Sequence, residues 1–353
     1  MSVTLTALAT ANPRRYASQA EIYRFIDAHF PMEPAERELY RELLLEGPIR
    51  GRYIGVDADE EICSQDPDVL IDRFAKQGRR IAAEAGRAAL AKAGLDPDQV
   101  EGLVVNTCTG YLCPGLSSYV LEDLGLPAHT SVFDLMGMGC GGAIPNLETA
   151  CRMVQSGARQ TVLCLSVEVC SATFFLGPDP DLVVSNSIFS DGASAAVLQA
   201  SFNGDPAGVL RLVDFESVML PKYREQLRYT TKEGRLRNVL TRSVPVIGAK
   251  AVTQVTERLL ARHGLTRDDI SRWIVHPGGT QVLKAVKKQL DLSAEMLRFS
   301  YEIFREYGNM SSPSVMFVLS RTLQQAKPHT GERALLISFG AGFTAFAALV
   351  EFL

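Results

Sequence analysis

The sequence predicts an α/β fold made of two duplicated halves, and three observations carry that prediction. The stretches "AALAKAGLDPDQVEGLVVNTCTG" (88–110) and "RLLARHGLTRDDISRWIVHPGG" (258–279) share a helix, a Gly-Leu end, an acidic connector and an apolar strand. Gly94 and Gly264 set the offset, 264 − 94 = 170, and the same offset carries Asn106 onto His276 and Cys140 onto Met310, the neighbour of Asn309. A second pair, "RQTVLCLSVEV" (159–169) and "ERALLISFGAG" (332–342), matches with a shift of a few residues. Third, the strand segments are apolar runs too continuous for one-sided burial, and they alternate with helical patterns. Two such halves packed about a pseudo-twofold bring matching loops to the centre. Ligand sites in α/β sheets favour the carboxyl ends of strands, which here are "NTCTG", "MGMGCGG", "HPGG" and "YGNMSSP".

In chain order, "EPAERELYRELLLEG" (33–47) reads as a helix with a solvated face. The first repeat helix stops at Gly94 and its strand runs into Asn106. After Cys140, the residues Ile144, Leu147, Ala150, Cys151 and Val154 recur at helical spacing, and Gly157 makes a stop. Pro145 is tolerable only in a first turn, which places the helix start close to Cys140. Asn203, Gly204, Asp205 and Pro206 cluster as turn formers, so the halves are expected at 1–202 and 207–353. The strand "RWIV" leads into His276, and Ser311, Ser312 and Pro313 supply helix-start chemistry after Asn309.

Composition narrows the function. Lys and Arg number 36 against 40 Asp and Glu, a net charge of -4 with no block of like charge, which argues against nucleic acid and anionic membrane as partners. No run is long enough to cross a bilayer, and the opening residues lack the pattern of a secretory signal. The seven cysteines, Cys63, Cys108, Cys113, Cys140, Cys151, Cys164 and Cys170, form no CxxC pair and are odd in number. That suits free thiols in a reducing cytoplasm. The five histidines stand apart without zinc-ligand spacing, so no metal is expected.

Cys140 carries the chemistry. It sits among Gly137, Gly139, Gly141 and Gly142, which permit a sharp strand-to-helix turn and close approach of an acyl group. A helix N-terminus offers unpaired N–H groups and partial positive charge, which favour thiolate over thiol. A nucleophilic thiol needs an ion-pair partner and an oxyanion stabiliser. His276 and Asn309 are the candidates. Each of the three also has a plain reading, as a small core residue, a structural histidine and a turn amide. Their joint placement at equivalent loops of the repeat favours the chemical one.

"MGCGGA", "HPGG", "YGNMSSPSV" and "SFGAGFTAF", in that order from about residue 50 to the end, resemble the type III polyketide synthases, the chalcone and stilbene synthase superfamily. The resemblance implies a thiolase fold, five-layered αβαβα, in a homodimer that extends an acyl-CoA starter with malonyl-CoA and releases a cyclised pyrone or phenolic product. It implies no carrier protein, metal or redox cofactor. Cys140, His276 and Asn309 match the family's triad, and Phe189 matches the phenylalanine that gates acyl entry and helps place malonyl. Ser338, Phe339, Gly340, Ala341 and Gly342 match the cyclisation loop, with Ser and Ala where plant members carry Gly and Pro. Asn238 falls near the place of the second gatekeeper phenylalanine. Cys108, Thr109, Cys113, Cys170 and Thr173 fall along the substrate cavity, Cys113 near the dimer seam. Small residues there leave room for a long acyl chain or a large product.

CoA phosphates call for basic side chains at the tunnel mouth. Arg50 and Arg52 are the candidates, with Gly278 and Gly279 alongside, because the family's usual basic positions are occupied here by Leu39, Glu42 and Glu46. Two rivals remain. One is another condensing enzyme of this fold, a ketoacyl synthase III or a hydroxymethylglutaryl-CoA synthase. The other is a non-catalytic acyl-CoA-binding scaffold, which would have no use for an intact Cys140, His276 and Asn309.

Overall fold

The two repeat units fold as matching modules. The structure, a computed structural model, describes residues 2–58, 61–62, 64–201 and 208–353. Cys63 and the turn formers Asn203, Gly204, Asp205 and Pro206 lie outside the described residues. The first half contains β1 (Ser2–Ala11), β2 (Arg15–Ser18), α1 (Gln19–His29), α2 (Pro34–Arg41), β3 (Gly51–Ile54), α3 (Pro67–Ala93) and β4 (Gly102–Asn106). It continues through α4 (Leu116–Leu124), β5 (Ser131–Leu135), α5 (Ala143–Gln155), β6 (Thr161–Val169), α6 (Pro180–Ile188) and β7 (Asp191–Ser201). The second half contains β8 (Leu210–Met219), β9 (Leu227–Lys232), β10 (Arg235–Leu240), α7 (Val244–Arg262), β11 (Arg272–Val275) and α8 (Thr280–Leu290). It ends with α9 (Arg298–Tyr307), α10 (Ser314–Arg321), β12 (Arg333–Gly340) and β13 (Thr344–Phe352).

The offset seen in the sequence is structural. Gly94 and Gly264 both turn their helices off in the left-handed region, at φ 66° and 64°. Short connectors follow, Pro97–Gln99 and Arg267–Asp269, each closed by a reciprocal capping box, Asp96 with Gln99 and Thr266 with Asp269. The strands β4 and β11 begin at Gly102 and Arg272.

The sheet order is β11-β12-β13-β8-β1-β7-β6-β4-β5. It is mirrored about the contact between β1 and β8, where the two halves join by three residue pairs: Val3 with Leu212, Thr4 with Arg211 and Leu5 with Leu210. On either side of that join the pairings repeat. The pairs β4–β6 and β11–β12 are parallel, while β6–β7 and β12–β13 are antiparallel.

Three apolar clusters build five layers. Residues of α3 and α4, among them Phe74, Ile81 and Val120, pack on Leu103, Val105 and Leu165 of one half-sheet. Residues of α7 and α8, among them Val252, Leu259 and Val286, pack on Leu335, Ile337 and Leu349 of the other. Between the two half-sheets lie α5 and α10, with Ile144, Leu147, Val154, Val315 and Val318 against Val104, Val162, Leu336 and Ala348. The sequence helix-sheet-helix-sheet-helix is the expected αβαβα. Every residue of β4 and β6 is buried, because helices cover both faces; that is why their sequences lack polar alternation. No helix among the described residues is long and apolar enough to cross a membrane.

The central helix α5 is built as its sequence requires. Pro145 occupies its third position, where its missing N–H is no loss. The chain leaves it through Gly157 at φ 75°. The expected helix near the N-terminus is α2, continued by a π turn at Glu42–Glu46; Tyr40 and Leu44 are buried against Ile22, Ile26 and Val183.

Candidate active site

Cys140 lies in a 3-10 turn, Gly139–Gly141, between the end of β5 and the start of α5. Gly137 and Gly139 take positive φ, 85° and 55°, so that the chain can reverse there. The loop after β12 presses on this turn. A Cβ on Gly340 would lie 2.0 Å from the Met138 carbonyl oxygen, so only glycine fits. Ser338 Oγ donates to the Gly141 carbonyl at 3.2 Å. The loop Ser338, Phe339, Gly340, Ala341 and Gly342 therefore shapes the thiol's surroundings from the opposite half.

Asn309 connects the thiol to the histidine loop. Its amide is hydrogen-bonded to Cys140 and Nδ2 donates to the Gly278 carbonyl at 3.3 Å. His276 is buried at the end of β11, edge-on to Phe339 with ring centroids 6.3 Å apart, and its ring lies against Gly278. Neither ring nitrogen has a hydrogen-bond partner among the described residues. Asn309 also bridges to Phe189: its N–H donates to the Ile188 carbonyl at 2.8 Å and its carbonyl accepts from Ser190 N at 2.9 Å.

Burial and hydrogen bonding act in opposite directions on the thiol. Burial pushes the Cys140 thiol up to about 12; hydrogen bonds from Ser311 and Asn309 oppose the rise and the nearby Glu168 carboxylate adds to it. Burial alone drives His276 down to about 3. Burial thus disfavours the charged form of each group taken singly, and the hydrogen bonds from Ser311 and Asn309 oppose it at the sulfur.

A carboxylate also stands in the site. Glu168 is fully buried at the end of β6. It accepts from Ser312 Oγ at 2.6 Å, Thr109 Oγ1 at 2.9 Å, Cys108 N at 3.0 Å, and Thr107 Oγ1 and Cys108 Sγ at 3.3 Å. Ser311 Oγ lies 3.4 Å from Cys140 Sγ and 3.5 Å from Cys108 Sγ, bridging the two sulfurs. Its backbone is held at φ 59°, rare outside glycine, by donation of its N–H to Asn309 Oδ1 at 2.8 Å. The signal for Glu168 was a single charged residue inside an otherwise apolar strand.

Two cavities flank the gate. The one at Cys140, about 20 Å³, also touches Cys108, Phe189, Tyr229 and Asn238. The second, about 470 Å³, shares Phe189 and Asn238 with the first and is lined by Cys170, Thr173, Phe174 and Leu182 inside and by the exposed Tyr16 and Arg24 outside. Tyr229, on the hairpin β9–β10, lies 3.4 Å from Thr173 Oγ1 and narrows the space beside the thiol. Cys113 is exposed and lines neither cavity. Arg50 is exposed, whereas Arg52 is 5% exposed and spends Nη1 on the Phe189 carbonyl at 2.5 Å and Nε on Gln19 Oε1 at 2.9 Å. It braces the gate segment from inside and also lines the larger cavity. Among the described residues no group of His, Cys, Asp and Glu is arranged to hold a metal ion.

Two duplicated halves that meet over a half-buried cysteine and a buried asparagine and histidine define a condensing enzyme of the thiolase fold. The chain belongs to the type III polyketide synthases, the chalcone and stilbene synthase family. Residues 212–352 match the chalcone and stilbene synthases, C-terminal domain, and residues 60–230 match the FAE1/type III polyketide synthase-like protein family. A 3,5-dihydroxyphenylacetyl-CoA synthase from Streptomyces toyocaensis is 32% identical over 88% of this chain and 82% of its own. The alpha-pyrone synthesis polyketide synthase-like Pks18 of Mycobacterium tuberculosis is 29% identical over 96% of this chain and 87% of its own. The crystal structure of PKS-I from the brown alga Ectocarpus siliculosus superposes with a TM-score of 0.90 at 26% identity, covering 100% of this chain and 98% of that one. The protein is thus an acyltransferase that acts on acyl-CoA and malonyl-CoA and makes phenolic or pyrone products, which sets aside the other condensing enzymes and the scaffold.

Proposed function

We propose that Cys140 is the acyl-accepting nucleophile, with His276 and Asn309 as its partners. The observation that carries this reading is the Asn309 amide, hydrogen-bonded to Cys140 on one side and to the His276 loop on the other. His276 is the acceptor of the thiol proton. Cys140 Sγ attacks the carbonyl of the starter thioester as His276 takes its proton, and CoA leaves as a thiol after receiving a proton. Malonyl-CoA then loses carbon dioxide, and the electron pair of the broken bond forms an enolate. The imidazole N–H and the Asn309 amide N–H donate to its oxygen. A preorganised donor of this kind is worth roughly 3 to 4 kcal/mol in acyl-transfer sites. The enolate carbon attacks the Cys140 thioester, and the lengthened chain returns to CoA.

The 20 Å³ space at the thiol holds about one water molecule. A growing chain therefore needs Phe189 and Asn238 to shift, opening the 470 Å³ compartment behind them. That compartment, lined by Cys170 and Thr173, suits a long acyl starter or an extended intermediate. The pyrone and dihydroxyphenylacetyl products named for the relatives are both compatible with it. Arg50 and Arg52, with Gly278 and Gly279, are assigned to the CoA entrance, and no carrier protein or cofactor takes part. The enzyme works in the cytoplasm as a homodimer. Support for the dimer comes from β5, an edge strand that exposes Val132 and Phe133, with Met136 exposed just after it. Incubation with labelled malonyl-CoA and a panel of acyl-CoA starters, read by mass spectrometry, tests the assignment. Free pyrones or phenolic rings are expected from the wild type and none from Cys140→Ala; products from Cys140→Ala would overturn it.

A further inference from the structure

The larger cavity carries positive charge that the catalytic steps above do not use. Its wall is mostly apolar, with Ile22, Ile26, Ile54, Phe174 and Leu182, yet two buried guanidinium groups also line it, Arg52 at 5% and Arg73 at 6% exposure. Arg73 belongs to α3. Its Nη1 donates to the Ser171 carbonyl at 2.6 Å and its Nη2 to the Glu61 carbonyl, while Nε has no partner among the described residues. Arg52 is committed to the Phe189 carbonyl and to Gln19 Oε1. Every one of these acceptors is neutral.

Asp191, fully buried, lines the same cavity and acts on both arginines through space. Its oxygens, however, accept from Gly55 N at 2.6 Å, Ser171 N at 2.8 Å and Ser171 Oγ at 2.6 Å, all neutral donors. Among the described residues, the buried part of this wall therefore holds two cations for one anion. A cation removed from water is costly unless an anion meets it. A guanidinium presents five N–H groups in one plane, a shape that suits a planar carboxylate, and Arg73 uses only two of them. A bare hydrated ion would gain nothing from the apolar walls around this charge. A hydrocarbon chain that ends in a carboxylate matches both features. The cavity shares Phe189 and Asn238 with the space at Cys140, so a chain tethered to that sulfur enters it past those two residues.

We propose that the starter is an acyl-CoA with a second carboxylate at its far end, a dicarboxylic monothioester longer than malonyl, and that Arg73 is the specificity-determining residue that receives that carboxylate. The proposal rests on the assignment of Cys140 as nucleophile. Malonyl itself is too short, because a single methylene separates its carboxylate from the thioester carbonyl and keeps it beside the sulfur. In a longer starter the methylenes lie against Ile22, Ile26, Ile54 and Leu182, and the carboxylate accepts from the N–H groups that Arg73 has left. Arg52 adds positive potential from the gate segment without giving up its own partners.

The test pairs starters of equal length with and without the second carboxylate: adipyl-CoA against hexanoyl-CoA, and suberyl-CoA against octanoyl-CoA. Each is supplied with malonyl-CoA to the full-length protein, and kcat/KM is read from product mass. The wild type should favour the dicarboxylic member by about tenfold or more. Arg73→Met should abolish or reverse that preference, and Arg73→Lys should fall between, since it keeps the charge and loses the fork. A second readout needs no turnover: free octanoate should raise the melting temperature of the wild type, and octanamide, of equal length and uncharged, should not. Arg73 also braces the Ser171 and Glu61 segments, so the wild-type comparisons decide the matter if Arg73→Met fails to fold. Equal use of the paired starters, preference for the monocarboxylic ones, or equal protection by octanoate and octanamide overturns the proposal. Protection by octanoate without a dicarboxylic preference also overturns it, because the cavity would then serve free carboxylates and not the starter. Absence of acylation at Cys140 by every starter, read by peptide mass, overturns the nucleophile assignment instead, and protection by octanoate would still establish the carboxylate site.

Discussion

At position 140, the surroundings act against the anion. Dry walls and the Glu168 carboxylate raise the thiol, and the neighbouring histidine is pushed the other way by the same dryness. Asn309 is central because it touches the sulfur, the histidine loop and the gate segment at Phe189. Replacing His276 or Asn309 by Ala is expected to slow malonyl-CoA decarboxylation by roughly a hundredfold or more each, since each removes an oxyanion donor. The measurement is the release of labelled carbon dioxide. Near-normal release from both variants would show that the enolate is stabilised elsewhere.

The elements meet at glycines where nothing larger fits. The loop after β12 reaches the nucleophile turn at Gly340, whose absent side chain leaves space for the Met138 carbonyl and Gly141 N. Gly340→Ala would force the two turns apart at backbone atoms, which cannot rotate away as a side chain can. The expected outcome is a folded enzyme with severely reduced condensation and a lowered melting temperature; wild-type turnover would show that this contact does not hold the thiol in place. The edge strand β5 presents the other element-level feature, an apolar face with Phe133 48% exposed. Phe133→Asp should shift the chain to a monomer in sedimentation, because a charge would be buried at the centre of a two-fold contact. A wild type that sediments as a monomer would refute the dimer outright.

For the molecule as a whole, burying His276 links folding to pH. Its folded value lies near 3 against an ordinary 6.5, so the native state binds this proton less readily than the unfolded chain. A depressed value means stability that is complete above pH 6.5 and is lost as pH falls towards 3. At pH 4.5 the loss from this one residue is about 2 to 3 kcal/mol. Urea unfolding of wild type and His276→Gln at pH 7 and 4.5 checks it: the wild type should lose more stability between the two pH values than the variant does. Equal losses would mean that His276 remains solvated in the native state.

What could be read along the chain was whatever depends on neighbours in sequence. The helix stops at Gly94 and Gly264, the strands running into Asn106 and His276, the glycine-flanked turn at Cys140 and the helix after it follow from local turn chemistry and periodicity, and they occupy the expected places. The duplication was legible for the same reason, since each repeat carries its own signals. Packing of distant segments decided the rest. Arg52 faces inward because Gln19 and the Phe189 carbonyl, far away in sequence, close over it. Glu168 enters the site because β6 ends beside the loops of both halves, and Tyr229 narrows the cavity from a separate hairpin. The protonation of Cys140 and His276 belongs to this second group. Desolvation is a property of the whole enclosure, and no stretch of sequence contains its own dielectric surroundings.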